Sequence, residues 1–259
     1  VYRRDFWFVF EGLPQNVIDI CHYGFTEMVN NAIDHSAGTQ VSITADRNES
    51  DVLIVVHDNG EGIFKRIARI MGLPDPRESI FELHKGKLTT DPENHTGEGV
   101  FFSSRMFDLY VISSGDLEFV RQAQASKKDV LLHDKGEHDG TVVMMQIDVD
   151  SARTRQEVFE EFAAGDDYQF DKTIVPVRLA LYEGDQLISR SQARRILSRV
   201  ERFRLVLLDF EGVLEVGRSF VDETFRVWAR EHPQVRLTAI NANKEITGMI
   251  EAKRAEADQ

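Results

Sequence analysis

Glu27, Asn31 and Asp34 stand at i, i+4 and i+7 within FTEMVNNAIDHS, residues 25–36. On a helix that spacing gathers all three on one face. A carboxylate and an amide about one turn apart can hold a hydrated Mg²⁺ and a water. Cys21, Phe25, Met28 and Ala32 form an apolar stripe on the other side, suited to anchor the helix in a core. A plain solvated face is the competing reading of the same pattern.

Two further stretches carry chemistry. The apolar run Val52–His57 delivers Asp58, Asn59, Gly60, Glu61, Gly62 and Ile63 at its end. Gly60 and Gly62 let the backbone turn and a flat ligand approach. Asp58 is then a carboxylate at a pocket mouth, able to accept a hydrogen bond from an exocyclic amine such as that of adenine. Thr96, Gly97, Glu98 and Gly99 lead into the apolar helical segment Val100–Phe107. Glycines before a helix start present backbone N–H groups and the positive dipole end, which suits phosphate. The polar, irregular stretch His84–His95 between these two sites reads as a lid loop.

The elements that must position these residues follow from periodicity. Phe6–Phe10 (FWFVF) reads as a short strand, ended by the turn Glu11–Pro14. Asn16 is a candidate N-cap for a helix running to about Ala37, with Gly38 as its stop. Strands are expected at 41–45 and 52–57, and helices at 64–73, 78–83 and 100–107. Strands follow at 109–113, 117–122, 130–134 and 141–149, the last beginning at Thr141. Strands in succession without helices between them predict an antiparallel or mixed sheet, with helices gathered on one face.

At 150–170 the pattern becomes charged, which places a boundary there: a domain over 1–150, a linker over 151–172 and a second domain over 173–259. The second alternates strand 174–181, helix 191–203 capped by Ser189, strand 205–210, helix 219–231, strand 235–240 and helix 244–254. This is a small α/β unit.

The 259 residues are 42% hydrophobic and 29% charged, the balance of a globular protein. The net charge of −13 gives no direct nucleic-acid signal and speaks against anionic lipid, because phosphate neutralisation needs surplus Lys and Arg. No apolar run is long enough to cross a bilayer, no signal peptide is evident, and a cytoplasmic location is expected. Val1 in place of an initiator methionine suggests a chain excised from something longer. The one cysteine, Cys21, removes disulfides and thiolate zinc sites from consideration.

Taken in chain order, the motifs of the first 150 residues resemble the GHKL superfamily of ATP-binding domains, which includes type II topoisomerase ATPases, histidine kinases and anti-sigma serine kinases. The resemblance rests on Glu27–Asn31–Ala32, on Asp58, Gly60 and Gly62, on Gly97–Gly99, and on Thr141. It implies an α+β fold: a Bergerat-type α/β sandwich, a mixed sheet with helices on one face. ATP and Mg²⁺ are the implied cofactors, with Asn31 ligating the metal and Asp58 binding the adenine N6 amine. Gly97 and Gly99 would meet the phosphates and Thr141 would support the adenine pocket. Asp34, Gly60, Gly62, Thr96, Glu98 and Val100 complete the implied nucleotide-binding set, with Lys85 or Lys87 reaching the γ-phosphate. Glu27 takes the place of the general base in ATP-hydrolysing members. A carboxylate there can take a proton and an amide cannot, so hydrolysis or serine phosphorylation is expected over histidine autophosphorylation.

Val206–Phe225 resembles a STAS-like domain, the fold of anti-sigma-factor antagonists, so a small α/β STAS-like unit should follow the ATPase. Ser219 falls where a phosphorylatable serine sits in those proteins, although Arg218 and Phe220 replace the usual small neighbours. Its alternative role is an N-cap satisfying the N–H of Asp222. Arg190, Arg194, Arg195, Arg199 and Arg202 make the preceding helix basic, either a solvated face or a docking surface for an acidic one. The combined expectation is an ATP·Mg-dependent regulatory switch coupled to the STAS-like domain, which would contact a protein partner. A serine kinase acting on a STAS domain and a non-catalytic ATP sensor are the alternatives. A homodimer is expected by analogy with relatives.

Overall fold

The computed structural model describes residues 5–88, 97–123, 129–164, 169–181 and 187–257. Side chains of 129–138 and 257 are outside that description. The chain forms two compact units, Val1–Glu161 and Phe162–Gln259. The stretch expected as linker thus divides: helix Arg155–Glu161 lies in the first unit and strand Lys172–Pro176 opens the sheet of the second.

The first unit is built on helix α2, Gln15–His35, which follows the short helix α1, Trp7–Phe10. Val17, Ile20, Cys21, Gly24, Phe25, Met28, Val29 and Ala32 are buried at three- and four-residue intervals, the expected stripe extended by a turn toward the N-terminus. Burial pushes the Cys21 thiol up to about 12, so it acts as a small inert apolar residue.

Strands β1 (Val41–Arg47), β2 (Asp51–Asp58), β3 (Leu109–Gln122) and β4 (Asp129–Asp148) form one sheet in the order β1-β2-β4-β3, antiparallel throughout. On β2 and β4 the buried residues alternate: Val52, Ile54 and Val56, then Thr141, Val143, Met145 and Ile147. Helices α2, α3 (Ile63–Met71) and α5 (Gly99–Met106) pack against the strands, and α4 (Arg77–Lys85) packs on α3 and α5. Helix α6, Arg155–Glu161, closes the unit against α2 and α5.

Three local expectations give way. Phe6–Phe10 is helical over Trp7–Phe10, not a strand: Phe10 is fully buried and Phe6 packs on Phe25 at 5.4 Å, so core packing outweighs the β propensity of aromatics. Pro14, not Asn16, precedes the first helical residue, where its fixed φ suits a helix start. The Asn16 amide instead donates to Ser151 O (2.6 Å) and Arg153 O (3.0 Å), tying α2 to the end of the sheet. The four strands expected after residue 108 are two, because register shifts between Ser113 and Leu117, with Gly115 at φ +64°, keep one ladder going past the glycine.

The second unit has a parallel sheet, β5 (Lys172–Pro176), β6 (Leu205–Asp209) and β7 (Arg236–Ile240), in that order. The strand expected over 174–181 stops at Pro176 and continues as a 3₁₀ turn, Val177–Ala180. Helix α7, Arg190–Leu197, is held by a capping box between Ser189 and Gln192. It ends earlier than expected, Arg199 turning at φ +66° into a single 3₁₀ turn. Arg190 and Arg194 of its basic face pair with Asp222 and Glu223 of the same unit. After β6 comes α8, Arg218–Asp222, then a π-helical stretch, Glu223–Trp228, and α9, Ala229–Glu231; α10, Lys244–Ala257, follows β7. Gly217 is the N-cap of α8, with its carbonyl accepting from Phe220 N and Val221 N. Ser219 lies inside the helix and exposed, so the expected capping role is not its own.

Candidate nucleotide-binding site

Between α2, α3, α5 and the sheet lies a cavity of about 290 Å³. Its α2 wall consists of Glu27, Met28, Asn31, Ala32 and His35; Ile63, Arg66 and Ile67 of α3 stand opposite. Asp58, Tyr110, Ile112, Thr141 and Val143 form the sheet side, and Gly97–Val100 close the end toward α5.

Asp58 and Thr141, far apart in sequence, are direct cross-strand partners of β2 and β4. Asp58 is only 5% exposed. Its Oδ1 accepts from Gly60 N (2.9 Å), while Thr141 Oγ1 accepts from Ile63 N (2.9 Å) and pins the start of α3 to the sheet. Burial raises the Asp58 pKa above the usual carboxylate value, against the lowering pull of the Gly60 and Thr141 N–H groups. A buried acceptor of this kind is favourably met by an added N–H donor.

The turn after Asp58 is threaded through a narrow gap. A methyl group on Gly60 would stand 2.0 Å from Ser36 O, and one on Gly62 2.5 Å from Ser114 Oγ. Gly140 closes the other side: at φ +72°, its methyl would meet Asp58 O at 1.9 Å. Gly140 was missed as a site residue; its place immediately before Thr141, where the strand was expected to begin, is the signal that its backbone lies on the Asp58 turn.

At the other end, the Glu27 carboxylate lies against Gly99 at the start of α5, where a methyl would fall 2.1 Å from Oε2. Gly97, at φ +71°, abuts the Leu88 backbone in the same way, at 2.4 Å. Tyr110, fully buried beneath, donates to Met28 Sδ at 3.1 Å. Its pKa is raised by burial first and by the Glu27 charge second, as is that of Tyr23.

Of the residues expected at the site, Glu27, Asn31, Asp58, Gly62, Gly97, Glu98, Gly99, Val100 and Thr141 line the cavity; Gly60 shapes it from behind. Asp34 is exposed and does not line it. At about 100° per residue, Asp34 sits on the far side of Glu27 from Asn31 and His35, so the wall turns away from it. Lys87, at φ +51°, is half-buried and off the cavity wall. Lys85 is 1% exposed, bonded to Glu82 at 2.6 Å and stacked over Phe81, which removes it from the role of a phosphate-seeking charge. Thr96 and lid positions 89–95 lie outside the described residues. Arg66 and Tyr110 were missed; for Arg66 the signal was its place with Ile63 and Ile67 on one face of α3.

Among the described residues no group of three or more His, Cys, Asp or Glu could hold a metal. A pocket offering one amide, Asn31, and one nearby carboxylate, Glu27, fits Mg²⁺, which is bound by few protein ligands together with substrate phosphates and waters.

An antiparallel sheet under helices, with an acidic group at one end of a pocket and two glycines at the start of a helix at the other, defines a nucleotide-binding α/β sandwich. The chain belongs to the histidine kinase-, DNA gyrase B- and HSP90-like ATPase family, whose model matches residues 17–151, more than half its length. A second model, a STAS-like domain of unknown function, matches residues 192–247. A search of curated proteins returns no match. The first unit is therefore an ATP-binding module of the GHKL type, and a STAS-like domain follows it. Among the described residues no helix is long and apolar enough to cross a membrane.

Proposed function

We propose that the protein is a Mg²⁺-dependent ATPase whose nucleotide state serves as a regulatory switch coupled to the STAS-like domain. The observation that carries this reading is the contact of the Glu27 carboxylate with Gly99, at the end of the cavity where α5 starts. In this reading Asp58 accepts from the adenine amine, and backbone N–H groups at Gly97 and Gly99 meet the phosphates. Asn31 would hold Mg²⁺, which neutralises phosphate charge when bound. Glu27 takes the proton from the attacking water.

A second reading is supported by the exposed Ser219 hydroxyl, which caps no helix: Glu27 would take the proton of a serine, on this or a partner STAS domain, as γ-phosphate is transferred to its oxygen. Incubation with ATP labelled at the γ-phosphate tests both. Free phosphate, lost in Glu27→Ala, supports hydrolysis; labelled protein, lost in Ser219→Ala, supports the kinase; nucleotide binding with neither leaves an ATP sensor. A partner protein contacting the STAS-like domain, and self-association into a dimer, belong to the same proposal.

A further inference from the structure

Arg66 stands out among the described residues lining the cavity as the single Lys or Arg. Its neighbours on that face of α3, Ile63 and Ile67, are apolar, so Arg66 is the cationic residue in an otherwise apolar stretch of the wall. The fold engages its Nη1, which donates to Glu61 Oε1 at 2.7 Å. Nε is buried without a hydrogen-bond partner, a state that costs free energy and is seldom kept without reason. Glu61 does not need it, because Arg69, 62% exposed, already reaches both Glu61 oxygens through Nη2, at 2.7 and 3.0 Å. An arginine serving only that ion pair would sit outside with Arg69.

The anchor also says which part of a ligand Arg66 faces. Glu61 N donates to Ser36 O at 3.0 Å, just past the end of α2. The Glu27–Gly99 contact lies nine positions earlier on α2, about 13 Å away at 1.5 Å per residue. Arg66 is thus held at the Asp58 end of the cavity, away from the glycines of α5.

We propose that Arg66 is a nucleotide-contacting residue that donates a charged hydrogen bond to an acceptor on the nucleoside half of the ligand, its base or ribose. The inference rests on the nucleotide-binding reading of the cavity. Glu61 positions the guanidinium, and Asp58 and Arg66 together present one acceptor and one donor cation to the nucleoside, a pairing that orients it.

Titration calorimetry of the whole chain with adenosine, ADP and Mg·ATP tests this. Arg66→Ala is expected to weaken all three by a common factor of about ten, the effect of one charged hydrogen bond. Arg69→Ala is expected to stay within about twofold, as for an exposed ion pair. Should Arg66→Ala fail to fold by circular dichroism, Arg66→Met keeps the stem on α3 and carries the same expectation. Loss for ADP and ATP but not adenosine would mean a phosphate contact and overturn the proposal. Equal losses in the Arg66 and Arg69 variants would also overturn it, tracing the effect to Glu61. Unchanged affinity in Arg66→Ala overturns this inference alone, whereas a wild-type chain that binds none of the three ligands overturns the nucleotide reading itself.

Discussion

Glu27 and Gly99 touch where α2 passes the start of α5, so closely that a methyl group on Gly99 would stand 2.1 Å from Glu27 Oε2. The obstacle is the end of a flexible side chain, so Gly99→Ala displaces the carboxylate without breaking the fold. Circular dichroism should show a melt close to wild type while phosphate release collapses. Wild-type turnover in that variant would contradict the placement of Glu27 beside the phosphates.

Glu27→Ala removes the proposed base and leaves the Asp58 end of the cavity intact. ATP affinity is expected to stay within a few-fold of wild type while turnover falls by about 100-fold or more. Unaltered turnover would sink the assignment.

Asp58→Asn replaces a buried acceptor with an amide, and ATP affinity is expected to fall about tenfold. The pH dependence has a definite sign. Because burial raises the folded-state pKa, the contribution of Asp58 to stability is present below its ordinary value of 3.8 and is lost as pH rises through the raised value. In the empty protein, Asp58→Asn should therefore gain stability relative to wild type as pH climbs above that window, in thermal melts. Nucleotide favours the ionised form, so wild-type affinity should fall as pH drops through the raised pKa.

Gly140→Ala meets backbone, not a mobile side chain: its methyl would be 1.9 Å from Asp58 O, at φ +72°. The expected loss is about 3 kcal/mol or more, with nucleotide binding lost alongside. Gly72, at φ +64° with nothing within 4 Å, is the control, and its alanine variant should cost only about 1 kcal/mol. Urea unfolding of the two variants measures the difference.

In the second unit Asp222 accepts from Arg226 Nε at 2.6 Å and Nη2 at 2.8 Å, with Arg190 and Lys253 nearby. The Arg226 bond above all holds its carboxyl below the ordinary 3.8. The stability from this cluster is present above that value and is lost as pH falls through the depressed one. Asp222→Asn should melt earlier than wild type at neutral pH, and the gap should close in acid.

Much of the site was legible because its residues are close in sequence. The Glu27–Asn31 pair depends only on helical spacing, and the turn at Gly60 and Gly62 on the end of an apolar strand. Asp34 misled because i+7 returns to the same broad face, while the cavity wall winds the other way toward His35. The Ser219 cap failed for a related reason: Gly217 starts the helix first, and a helix boundary shifts with one or two residues of context. The FWFVF run failed because local propensity is weaker than burial of Phe10.

By itself the sequence determined the two-part layout, the strand and helix periodicities, and the chemical types on the α2 face, since these depend on short-range pattern. The tertiary structure alone decided that Asp58 lies beside Thr141, that Gly140 closes on the Asp58 backbone, that Glu27 meets Gly99, and that Lys85 is sealed in an ion pair while Arg66 faces the cavity. The reason is physical: strand register and helix packing join positions remote in sequence, and no local propensity encodes which of two nearby cations is buried away from a ligand and which is turned toward it.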